Sequence, residues 1–194
     1  MKKFAFSALA LTLLAGSATA AQAQAAQNFG PAIPGVCVYH HDRLLAQSTA
    51  GQAVAATMQR LQQEVGAELS PYEQFVQTES QALQQGRASI PQDQYAQREQ
   101  ALATRYQEAR NLAQTRDNEL RYTQAMQLQE IAKAADPIIL ALYSERGCGI
   151  LISRDGVMRV NPSMDLTEAA IQRVNAALPT LSFSRMAVPA QPAQ

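Results

Sequence analysis

Cys37, His40, His41, Asp42 and Ser48 fall close together in "CVYHHDRLLAQS", and Cys148 stands alone far downstream in "GCG". Three chemistries could use such residues. A Ser-His-Asp set could run nucleophilic hydrolysis, but that needs a serine presented on a strained turn such as G-x-S-x-G, and there is none. These residues read instead as strand-end and helix-cap positions. A Cys-His-His-Cys set could hold a metal, yet two cysteines cannot build a structural zinc site alone and the histidines sit at a strand end. The third chemistry is a disulfide, for which an even pair of cysteines in an oxidising compartment is the usual signature. Cys37 and Cys148 are therefore the disulfide candidates. No Walker loop and no G-x-G-x-x-G is present, and "GCG" is too short to cradle a phosphate. Pairs such as Glu64/Glu68 and Glu119/Glu130 lie on helices expected to face water, whereas general acid-base work needs a shielded pocket. The expectation is no catalytic residue, no cofactor, no metal ligand and no enzyme activity.

The compartment follows from the first residues, "MKKFAFSALALTLLAGSATAAQAQAAQ". Lys2 and Lys3 precede an apolar run from Phe4 to Ala15, too short for a comfortable membrane span, and small residues follow. This predicts a signal peptide over residues 1–23, cut after Ala20 or Ala23, and a soluble exported chain with the periplasm as its compartment. The whole chain carries 16 basic and 16 acidic residues. The leader removes two lysines, leaving 14 against 16 and a net charge of about −2. Duplex binding leans on a concentrated basic face, so nucleic acid is not an expected partner. A strong membrane-surface interaction is not indicated either.

The elements that position these residues divide the chain unevenly. "NFGPAIPG" leads into a short β-type run, Val36 to Tyr39. Asp42 is placed to cap a following helix. From there Met58, Leu61, Val65, Tyr72 and Phe75 follow the 3-4 alternation of a coiled-coil seam, which Glu68 and Glu79 interrupt. "SPYE" at Ser70 to Glu73 matches a capping box with proline at the first helical position, so a restart or kink is expected there. "QQGRASIPQD" is the strongest break. Gly86 can end one helix, and Ser89 with Gln92 can cap the next. A return helix is expected from about Ile90 to Ser144, with Tyr95, Leu102 and Ala109 spaced by seven and a kink at Pro137. The outgoing arm, Gln47 to Gln85, has one Arg and four Glu; the return arm, Arg87 to Arg121, has six Arg and five acidic residues. The arms are mildly complementary.

After the arm, "ILIS" reads as a strand, "RDG" as a hairpin turn and "VMRV" as the answering strand. Asp165 or Thr167 caps a last helix, with Leu166, Ala170, Ile171, Val174 and Leu178 on one face, and Pro179 stops it. The Pro/Ala/Gln-rich tail, residues 179–194, is expected to be disordered. The fold class is α+β. A small antiparallel β body with a C-terminal helix is formed by residues 36–46 and 147–178. A long antiparallel α-helical hairpin, residues 47–146, is inserted between its halves.

A leader, the strand segment "GVCVYHHDRLLAQSTAGQAV", a long polar hairpin and "YSERGCGILISRDGVMRVNPSMDLTEAAIQRVN" together resemble the Skp/OmpH family of periplasmic chaperones. The matching signatures are the strand Val36 to Tyr39, the Ser48/Gly51 helix start, and Asp165-Leu166-Thr167 before the last helix. The resemblance implies a homotrimer whose β bodies join and whose helical arms surround a cavity. There, unfolded outer-membrane proteins are held without ATP. Family members are often rich in Lys, whereas Lys133 is the only lysine of the mature chain, which weighs against binding acidic lipids or lipopolysaccharide. The Cys37/Cys148 pair is read from this sequence and is not carried over from the family. The residues agree with this reading, because a few short strands leave open edges and too little core unless copies join. Val36, Val38, Ile150 and Ile152 are the candidate oligomer core. Met58, Tyr72, Phe75, Tyr95 and Tyr106 are the candidate client contacts. The competing function is a structural or adaptor envelope protein that docks partners through its coiled-coil hairpin.

Overall fold

The computed structural model describes residues 29–190; the leader expected at 1–23 lies outside them. Along the chain come β1 (Val36–Tyr39), α1 (His41–Gln47), α2 (Thr49–Gly86), α3 (Gln92–Glu145), β2 (Ile150–Ser153) and α4 (Thr167–Ala177). The helices α2 and α3 form the hairpin, and everything else gathers at its root. At about 1.5 Å per residue, the 38 residues of α2 reach about 57 Å.

The sheet corrects one expectation. β1 and β2 are parallel, with Val36 opposite Ile150, Cys37 opposite Leu151 and Val38 opposite Ile152. Parallel neighbours need a long crossover, and the hairpin is that crossover: the chain leaves beyond β1, goes out and back, and re-enters beside its start. "VMRV" does not answer "ILIS". Residues 154–156 form a 3-10 turn instead, with Arg154 donating to the Val157 carbonyl, and residues 157–161 carry no regular structure. On its other side β1 meets Asp165 in an isolated parallel bridge, and the Leu166 N–H donates to the Val38 carbonyl at 2.9 Å.

The junctions explain the short motifs. Ser48 caps α2, its Oγ accepting from Gly51 N at 3.1 Å. A Cβ at Gly51 would fall on the Leu45 carbonyl, so the tight α1–α2 corner requires glycine there. Back at the root, α3 stops in a Schellman motif. Gly147 takes φ +65°, its N–H donates to Ser144 O, and Cys148 N donates to Tyr143 O at 3.0 Å. "GCG" is thus a helix stop. Its second glycine and Ile150 both donate their N–H groups to Gly35 O, which starts the strand pairing. Cys37 and Cys148 are joined by a disulfide with a Cα–Cα distance of 5.7 Å.

Core packing concentrates where the arm meets the body. Leu44, Val54, Met58 and Leu61 meet Ile131, Ala135 and Leu142, with Leu166, Ala170, Ile171 and Val174 closing the other side. Beyond Val65 on α2 only Leu83 is buried, and before Thr123 no residue of α3 is. The root is therefore a packed core and the distal arm a thin seam.

Several local expectations change. Of the restart or kink expected at Pro71, the restart does not occur, and α3 likewise continues through Pro137, where only a kink was expected. Each proline still leaves one carbonyl of the preceding turn without its helical donor. Asp42 sits in the first turn of α1, which His40 precedes without a side-chain cap. At the tip Ser89 donates to Gly86 O rather than capping α3, and Pro91 takes the cap position. Residues 179–190, expected to be disordered, run without helix or strand against the hairpin root, with Leu181 and Phe183 packed on the core.

Candidate functional site

The polar cluster near β1 is structural. Ser48 is fully buried and its hydroxyl is engaged by Gly51 N. His41 Nδ1 lies 3.2 Å from the Tyr39 hydroxyl. His40 Nε2 lies 3.0 Å from Asp155 Oδ1, linking the end of β1 to the turn after β2. The Tyr39 hydroxyl is pushed up to about 12 by burial, with Asp136 and Asp42 adding to it. His40, His41 and Ser48 are each engaged by a different partner, and no nucleophile-base pair forms among the described residues. Among them, too, no group of three or more His, Cys, Asp or Glu could hold a metal, and no helix is long and apolar enough to cross a membrane.

The motif "DLT" acts as a joint. The Thr167 hydroxyl is fully buried; it accepts from His40 N at 2.9 Å and donates to Asp165 Oδ1 at 2.5 Å. The same carboxylate takes Thr167 N at 2.9 Å and so starts α4. One side chain therefore fixes the end of β1 to the start of α4.

Two surfaces remain unpartnered. The first is β2: Ile150, Leu151 and Ile152 are all exposed, and only β1 pairs with the strand among the described residues. Of the four expected oligomer-core residues, Ile150 and Ile152 lie on this surface. Val36 is half-buried, and Val38 is buried inside the subunit. A cleft of about 310 Å³ borders it, lined in part by Phe29, Ile33, Val36, Ile152 and Met164.

The second surface is the arm. The two glutamates read as interruptions of the seam are matched across it. Arg98 forks onto Glu79 at 2.5 and 2.9 Å, and Arg116 meets Glu68 at 2.6 Å. Both carboxyls are held below the usual range by these hydrogen bonds, with Arg185 the larger influence on Glu68. The Arg105 guanidinium stacks 4.2 Å over the Tyr72 ring. The expected client contacts consequently separate. Phe75 and Tyr106 are exposed, Tyr72 and Tyr95 are half-buried, and Met58 is buried in the root core and unavailable.

Arg185 is the residue that sequence reasoning missed. It reaches Glu68 on α2 at 2.8 Å and Glu119 on α3 at 3.1 Å, while the next residue, Met186, donates its N–H to Thr123 Oγ1 at 2.8 Å. The available signal was the alternation Leu181, Phe183, Arg185 in a segment read only by composition.

The family model described as "Outer membrane protein (OmpH-like)" matches residues 35–174. A crystal structure of an OmpH-like protein from Caulobacter crescentus CB15 is similar to this chain with a TM-score of 0.73 and 31% identity. The similarity covers 82% of this chain and 95% of that one. No curated protein sequence matches.

Proposed function

The chain belongs to the OmpH-like outer membrane protein family, and from that premise we propose that it is an ATP-independent periplasmic holdase for unfolded outer-membrane proteins. The observation that carries this is the division of the molecule. A long arm with a thin seam and exposed aromatic residues projects from a small body whose edge strand is apolar and open. An arm of this kind cannot enclose a client alone. An open β edge flanked by Ile150 and Ile152 is a template for another chain, and joining copies there covers it. The assembly is a homotrimer, as expected for this family, with β2 and the adjoining cleft at the subunit contacts. Its arms then face a shared space. Phe75 and Tyr106, with the half-buried Tyr72 and Tyr95, offer many weak apolar contacts to an unfolded segment. Release needs no nucleotide, because holding by many weak contacts ends when the client folds elsewhere. Residues 1–23 direct export and are removed after Ala20 or Ala23.

The test is aggregation of a urea-unfolded outer-membrane barrel protein diluted with near-stoichiometric purified chaperone. Light scattering should be suppressed without ATP. Sedimentation should give a mass near three chains, falling to one in Ile150→Asp, because a buried unpaired charge at that contact costs several kcal/mol. No suppression of scattering, or a monomer that melts cooperatively, would overturn the proposal.

A further inference from the structure

We propose that the groove at the arm root, bordered by Glu68, Glu119, Thr123 and Gln127, is a seat for an extended peptide. The chain's own tail occupies it as a resident ligand. Its competitor is an extended client segment with apolar side chains at alternate positions followed by an arginine. This rests on the holdase reading and adds an autoinhibited site to it.

The tail carries the pattern. In an extended segment, alternate side chains share a side. Leu181 and Phe183 are both packed against the core, and Arg185 continues the series onto Glu68 and Glu119. Met186 adds a main-chain hydrogen bond to Thr123 Oγ1, a contact any polypeptide can make. Thr123 is fully buried and Gln127 nearly so, the first two buried residues along α3 and both polar.

Charge selects the occupant. Glu68 and Glu119 carry two negative charges and Arg116 one positive, so the vacated groove is net negative and Arg185 neutralises it. Arg185 Nη1 is buried with no protein partner among the described residues, a cost that any arginine seated there shares. Tethering at the end of α4 sets the tail's effective concentration, on the order of millimolar for a short link, so a client must outcompete it.

The experiment uses the full chain, a chain ending at Leu178, and full-length Arg185→Glu, with a fluorescein-labelled peptide of residues 179–190 as probe. The shortened chain should bind one peptide per subunit, and the full chain at least about tenfold more weakly. The R185E peptide should not bind. Unfolded barrel protein should displace the probe and should bind the shortened chain and Arg185→Glu more tightly than the full chain. Absence of peptide binding to the shortened chain with its helical signal intact would overturn the proposal. So would equal client affinity in the full chain and Arg185→Glu, which settles the matter even where truncation unfolds the root. If the full chain and both variants hold no client while the peptide still binds, the holdase reading fails and not the seat.

Discussion

Replacing Thr167 by Val tests the joint between β1 and α4 with almost no change of shape. The hydroxyl is fully buried, accepts from His40 N at 2.9 Å and donates to Asp165 Oδ1 at 2.5 Å. Valine fills the volume and makes neither bond. His40 then holds a partly buried N–H without its acceptor, at about 1–3 kcal/mol. Asp165 keeps the bond from Thr167 N but loses a charge-assisted one, for about 1 kcal/mol more. The expected loss is about 2–4 kcal/mol. In urea this moves the midpoint down by about 1–2 M for a slope of about 2 kcal/mol/M, with the slope unchanged. Thr167→Ser should recover most of it. A Thr167→Val midpoint within about 0.25 M of the parent would refute the claim that this hydroxyl joins strand to helix.

Gly51→Ala should destabilise by at least about 3 kcal/mol, read by thermal melting, because the new methyl overlaps the Leu45 carbonyl and only backbone movement relieves it. The Cys37→Ala/Cys148→Ala double variant should lose up to about 4–5 kcal/mol by the loop-entropy argument, since the bridge spans a separation of 111 residues; unchanged denaturant stability would contradict this. The Glu68 carboxyl is held low by Arg185 and then by Arg116, so its contribution is complete above the ordinary value of 4.5 and is lost as pH falls through the lowered value. Hydrogen exchange at the Met186 amide should therefore be equally protected at pH 7 and pH 5 and become unprotected only well below 4.5; release between pH 7 and 5 would show that another group controls the tail.

The helical arm was legible because its evidence is local and repeated: a seam at 3-4 spacing, then Gly86 ending one helix at the break, although the cap expected from Ser89 fell to Pro91. Glu68 and Glu79 were legible as polar but misjudged as weak points, because their partners Arg116 and Arg98 lie on the other arm and only the hairpin register brings them across. Strand direction failed for a related reason. "VMRV" lies near "ILIS" in sequence and supplied an obvious hairpin, yet the true partner, "VCVY", precedes the whole arm. An inserted hairpin returns the chain to its starting side, so the second strand enters parallel. Proline and alanine in the tail suggested disorder, and composition conceals what three residues at alternate positions can do when two carboxylates await the last of them. Pro71 looked like a helix start because "SPYE" satisfies the capping pattern. α2 is nevertheless continuous there, with Arg116 paired to Glu68 before the proline and Arg105 stacked on Tyr72 just after it.

The central claim is that the distal arm does the holding. It is tested most directly by deleting Ser70 to Tyr106 and joining Leu69 to Gln107 through a short Gly-Asn turn, close to where Leu69 and Ala109 line a common cleft. The root core, the disulfide and the Glu68–Arg185 contact all lie outside the deletion. The shortened protein should sediment as the full chain does, near three subunits. It should lose retention of an unfolded outer-membrane barrel protein, measured as client remaining soluble after dilution from urea. A shortened protein that assembles normally and keeps the client soluble as well as the full chain would contradict the account.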